Sequence, residues 1–221
     1  MTHFRKLAVA ALLAGGAVAQ ANAALYTDET GFGPVIEDFE GFDGLVAAAP
    51  WPVLLGGGGI AVSSDIGMTL GAFAVDLNEN GTWGAGNRFA GIGDLVNGTG
   101  AYNGSMHLSF APSFGVGALF SIFQDVAGTA AITLEAYDAA FELLESHSFV
   151  IDFADPLLTN AGLFYGIGRS EGDIAALRIS GDGFVLDDLR LAASPVPVPA
   201  ALPLLLSALG LLGVARRRAS V

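Results

Sequence analysis

Along the middle of the chain, apolar residues recur at every second position. In residues 131–137, Ile132, Leu134 and Ala136 share one face, while Thr133, Glu135 and Tyr137 share the other. In residues 174–180, Ala175, Leu177 and Ile179 oppose Ala176, Arg178 and Ser180. A period of two is the side-chain alternation of a half-buried strand. Residues 116–123 and 149–153 are more uniformly apolar and are expected to be buried strands. Residues 60–63, 105–110 and 184–191 complete the predicted set. Asn80-Gly81, Asn97-Gly98 and Asn103-Gly104 are turn signals in a stretch, 78–103, that reads as loop-rich, and Gly56 to Gly59 is a further loop tract. One segment is ambiguous, because Leu134, Tyr137, Phe141 and Leu144 also recur at helical spacing. A hairpin turning at Asp138-Ala139-Ala140 is the preferred reading. Short strands with many glycine turns predict an all-β fold, an antiparallel β-sandwich.

The two ends follow a different pattern. Arg5 and Lys6 precede an apolar run from Leu7 to Ala19, and Ala21-Asn22-Ala23 has the small-x-small form of a cleavage site. This predicts a signal peptide over residues 1–23, cut after Ala23, with Ala19 as the second choice. At the other end, Ser194 to Ala200 is proline-rich, residues 201–215 are apolar, and Arg216, Arg217 and Arg218 follow. A helix of about 16 residues rises only about 24 Å, against a hydrocarbon core of about 30 Å. The run is therefore a minimal span, with its arginines held in the cytoplasm. Both ends agree that the body is exported, and they divide the chain into residues 1–23, 24–193 and 194–221.

Charge narrows the body's partners. Five of the nine lysines and arginines lie in the two ends, leaving four arginines against all 22 acids, a balance near −18. Such a surface repels nucleic acid and anionic lipid and favours divalent cations. There is no cysteine, which excludes disulfides, thiol catalysis and thiolate-metal sites and leaves stability to core packing and any bound metal.

Two acidic clusters stand out, Glu37 to Asp43 and Asp182 to Leu189. By parity, Asp187 falls on the face of Val185, Leu189 and Leu191. A carboxylate among core side chains is costly unless a cation or strong donors meet it. Calcium is the natural hard partner, taking carboxylates and backbone carbonyls. The alternative is a set of solvated acids, with Asp187 paired to Arg178 or Arg190. Trp51, Trp83 and Tyr102 lie in loop-like contexts, where they either stack on a sugar face or cover the ends of the sandwich. Catalytic motifs are lacking. His107 and His147 belong to no His-x-x-x-His pair, and no Gly-x-Ser-x-Gly elbow exists. No catalytic residues are expected, although a hydrolase working through two carboxylates stays open as an alternative.

The C-terminal order Val196-Pro197-Val198-Pro199-Ala200, apolar run, Arg216-Arg217-Arg218 resembles the VPLPA-type sorting signal, a relative of the PEP-CTERM signals. Val198 stands where that family usually has leucine. The resemblance implies recognition by an exosortase-type membrane transpeptidase, cleavage near the Pro-Ala motif, and delivery to the cell surface or extracellular matrix of a Gram-negative bacterium. In the body, Asp38-Phe39-Glu40-Gly41 and Leu186-Asp187-Asp188-Leu189 resemble motifs of the jelly-roll sandwiches of carbohydrate-binding modules, whose first and last strands lie close and often share calcium. That resemblance implies a jelly-roll-like sandwich with calcium on Glu40, Asp187 and Asp188. The expected function is a non-enzymatic surface or matrix protein, adhesive or structural. A carbohydrate-binding module for extracellular polysaccharide is the first alternative.

Overall fold

The computed structural model describes residues 24–73, 88–97, 101–123, 128–153 and 162–195. Fourteen strands, numbered in chain order, form two sheets. The eight-stranded sheet runs β1 (Ala24–Tyr26), β12 (Leu163–Gly168), β9 (Gly115–Ile122), β14 (Phe184–Ala192), β7 (Arg88–Ile92), β6 (Met68–Phe73) and β3 (Leu45–Ala47), with β2 (Val35–Glu37) also paired to β14. The six-stranded sheet runs β11 (Leu143–Phe153), β10 (Gly128–Tyr137), β13 (Ile174–Asp182), β8 (Asn103–Ser113), β5 (Ile60–Ser64) and β4 (Val53–Leu55). The strand pairs within both sheets are antiparallel. The fold is a β-sandwich, and no α-helix occurs among the described residues. None of their helices is long and apolar enough to cross a membrane. The signal peptide (1–23) and Val196 to Arg218 of the sorting motif lie outside the described residues.

The core lies between the sheets. Met106, Leu108, Ile132, Leu134, Leu177 and Ile179 face inward from one, and Val116, Phe120, Phe184, Leu186 and Leu189 from the other. Alternation does the sorting in β10, where Ile132, Leu134 and Ala136 are buried as the pattern predicts. The expected hairpin is present. Asp138 Oδ1 accepts from the backbone N–H of Ala140 (2.8 Å) and of Glu142 (2.9 Å), closing the turn between β10 and β11. This local bonding is what aspartate offers a turn and denies a helix.

Two expectations need correction. Residues 149–153 are not a buried strand but half of an edge strand. Phe149 and Ile151 face the core while Val150 is 58% exposed. Within the stretch read as loop, Arg88 to Ile92 is a strand between β14 and β6. Its register contacts, rather than any periodicity of its own, place it there.

Candidate functional site

The unusual chemistry sits where two strands share one edge of β14. β7 pairs with the first half, Val185↔Gly91 and Leu186↔Ala90. β2 pairs with the second, Leu189↔Glu37 and Arg190↔Val35. Asp187 and Asp188 fall in the gap between. On the opposite edge, β9 follows β14 until Asp187↔Leu119 and resumes at Arg190↔Gly117, so β14 carries one extra residue. Asp188 takes the left-handed conformation with φ 50°, a region that aspartate tolerates better than most residues. This is a β-bulge, and it re-aims side chains beyond it.

The bulge corrects the expected parity. Leu189 joins the main core with Phe184 and Leu186, and Leu191 packs against it. Asp187 keeps the parity of Val185, which packs in a separate small cluster with Phe89 and Leu95. Asp187 is nonetheless fully buried, and Asp188 nearly so.

The segment after β2 supplies the other acids. Phe39, at φ 56°, plunges into the core and anchors a tight loop. Glu37 braces it from within, Oε1 accepting from Phe39 N–H (2.9 Å) and Oε2 from Gly56 N–H (2.9 Å). Asp38 Oδ1 accepts from Glu40 N–H (3.1 Å). Arg88, at the start of β7, ties the loop down. Its backbone N–H donates to Glu40 Oε1 (2.8 Å), and its guanidinium donates to Phe42 O and to Asp43 Oδ1 (2.9 Å). A small pocket of about 170 Å³ is lined by Val35, Ile36, Glu37 and Asp38. Arg88 is a site residue that the motifs in the sequence do not point to, and Asp38 belongs to the first acidic cluster without being among the expected ligands. The available signal was that Arg88 is one of four cations in a strongly acidic body.

Electrostatics single out Asp187. Burial, offset in part by the N–H of Asp188 and reinforced by the neighbouring charges of Asp188, Asp38 and Glu40, pushes its carboxyl up to about 8. Oδ1 accepts from Asp188 N–H (2.7 Å), but buried Oδ2 has no hydrogen-bond partner among the described residues. Neither arginine considered from the sequence reaches it. Arg178 pairs with Glu135 (3.1 Å), and Arg190 with Glu29 (2.7 Å), more distantly with Asp188 (3.8 Å). An orphaned, buried carboxylate oxygen among further acids fits a hard cation. Among the described residues no three acidic or histidine side chains converge tightly enough to hold an ion alone, so a calcium ion here would also draw on backbone carbonyls.

Two of the three aromatic candidates lie among the described residues. Trp51 lies on the loop between edge strands β3 and β4 and is 73% exposed. Tyr102 is half-buried, its ring edge-on to Phe123 at 5.7 Å. Trp83 lies outside the described residues. One trio resembles a nucleophile set and is not one. Ser105 Oγ lies 3.3 Å from His107 Nε2 but donates to Asp65 Oδ2 (2.8 Å), and Ser105 is 1% exposed. The hydroxyl proton goes to the carboxylate, so the imidazole is not placed to take it.

No protein-family model matches the chain, and no curated protein matches it. Among solved structures, it is similar to the CBM22-1 and GH10 modules of the endo-1,4-beta-D-xylanase 10B of Clostridium thermocellum complexed with xylohexaose. The TM-score is 0.33 at 8% identity, covering 72% of this chain and 27% of that one. The chain thus spans about a quarter of that protein's length, and so loose a likeness carries no argument.

Proposed function

We propose that this is a non-enzymatic surface or matrix protein, exported and then sorted by an exosortase-type system, whose sandwich is steadied by calcium for an adhesive or structural role. The observation that carries the reading is the fully buried Asp187 with an unpartnered Oδ2. Asp187 and Asp188 would hold the ion, with Glu40 from the loop after β2. Bound calcium would neutralise the clustered acids and tie the last strand to that loop. Export is supported by the apolar run that follows Arg5 and Lys6 and by the small-x-small Ala21-Asn22-Ala23.

Calcium dependence is tested by melting with calcium and with chelator. A ligand at a hundredfold over its Kd adds about 2.7 kcal/mol to the native state, or roughly 5–10 °C in Tm for a body of this size. Asp187→Asn should abolish that increment. Equal melting temperatures with and without chelator would remove the calcium reading.

Sorting has its own measurement. The intact mass of the surface form should lack residues 1–23 and everything beyond the Pro199-Ala200 region. A surface product that retains Arg216 to Arg218 is incompatible with processing.

A further inference from the structure

The outer face of the six-stranded sheet carries a cleft that calcium binding does not use. Register places Ser63, His107, Arg178, Glu135 and Ser146 in one row across five strands. The adjacent row is Ala61, Ser109, Ala176, Tyr137 and Leu143. Short side chains at 61, 109 and 176 make a trough beside the taller row. The β10–β11 turn closes one end, and the result is a cleft of about 270 Å³ lined by His107, Ser109, Tyr137, Phe141, Ala176 and Arg178.

Its walls have a definite chemistry. Phe141 is 70% exposed and held at φ 62°. Its N–H donates to Asp138 O (3.0 Å) inside the Asp138 turn, so the ring is presented on a braced loop. The ring is free of the core, and with Tyr137 it forms the aromatic side of the cleft. Beside it, Glu135 Oε2 accepts from both Tyr137 Oη (3.1 Å) and Arg178 Nη1 (3.1 Å). Arg178 Nε has no hydrogen-bond partner among the described residues. Burial, and then the Arg178 charge, hold the His107 imidazole below its ordinary range, which keeps it neutral near pH 7. Arginine is cancelled by glutamate and histidine is uncharged, so the cleft is neutral in a body near −18.

A charged ligand gains little from such a site. An uncharged ring with an apolar face and hydroxyl edges matches it, because aromatic rings take the face while mixed donors and acceptors take the hydroxyls. We propose that this cleft binds one uncharged pyranose unit of a polysaccharide, its face against Phe141 and Tyr137 and its hydroxyls on His107, Arg178 and Ser109. The proposal rests on the adhesive reading only in taking the ligand to be a polymer.

The test is affinity electrophoresis of the exported chain through gels containing galactomannan, xyloglucan, mixed-linkage β-glucan or dextran, with alginate as the acidic comparison. Retardation is expected in at least one neutral gel. Phe141→Ala should weaken it tenfold or more, and Ser109→Tyr, which fills the trough, should do the same, each with the melting temperature of the parent. Trp51→Ala should leave it unchanged. Free movement through every neutral gel, retardation by alginate alone, or loss of binding only in Trp51→Ala would each overturn the assignment. A failed chelator experiment leaves this cleft untouched, and a failed gel experiment leaves the calcium reading standing.

Discussion

Raising the pH from 5 to 8 in calcium-free buffer should lower the unfolding free energy of the body, and adding calcium should remove that slope. The cause is Asp187, whose carboxyl is pushed up to about 8 by burial and by the acids around it. In the unfolded chain an aspartate titrates near 3.9. Between these values the native state holds a proton that the unfolded state has released, so stability falls as pH rises. The contribution is fully present below about pH 4, is lost through the interval, and is flat above about 8. At 1.36 kcal/mol per unit, the total is about 6 kcal/mol as an upper figure. His107 works the other way, because its folded value is depressed and it adds stability as pH rises toward 6.5. Asp65, also depressed by the donors of Ser105 despite its burial, loses its contribution only as pH falls through its folded value, below the window measured. The difference between wild type and Asp187→Asn therefore isolates the effect. Chelated wild type should show the slope, and the variant should be the more stable of the two at pH 8. A flat profile in chelated wild type, or an equal slope in both, would show that Asp187 is not the buried acid described here.

The same aspartate shows how far sequence carries. Its oddity was legible, since a carboxylate on an apolar parity needs an explanation. The explanation required the bulge at Asp188. That one-residue shift turns Leu189 and Leu191 into the core and leaves Asp187 with Val185, and period-two reasoning has no means of counting an extra residue. Strong alternation in 131–137 and the Asp138 turn sufficed to choose hairpin over helix. The three-residue strands β1, β2, β3 and β4 are shorter than any window in which a period can be seen, and their partners define them. Arg88 to Ile92, hidden among turn dipeptides, is a strand because β14 and β6 flank it. The cleft was illegible for another reason. In sequence Phe141 figures only in the helical spacing set aside for the hairpin, and only the geometry of the turn leaves it in solvent. Glu135 and Arg178 lie 43 positions apart, and register rather than spacing unites them.

Gly71→Ala should be among the most damaging single changes in the body, and it should damage the acidic site with it. Gly71 sits in β6 at a register shift, with φ +69°, where a side chain is strained whatever the space. Space is also lacking. A Cβ there would lie 2.5 Å from both the carbonyl carbon and oxygen of Phe42. That contact is backbone, so no rotamer change relieves it, and the loop must lift. The loop cannot lift freely, because Gly44 N–H donates to Gly71 O (3.0 Å) and Arg88 holds Glu40, Phe42 and Asp43. Strain plus displacement should cost about 2–4 kcal/mol, read as a lower urea midpoint. Because Glu40 rides on the same loop, the stability gained from calcium should shrink in the variant. Gly41→Ala is the matched control in that loop, since a Cβ there meets nothing within 4 Å, and it should stay within about 0.5 kcal/mol of wild type. If the two variants unfold at the same urea concentration, the loop does not rest on Gly71, and the support assigned to the acids after β2 is wrong.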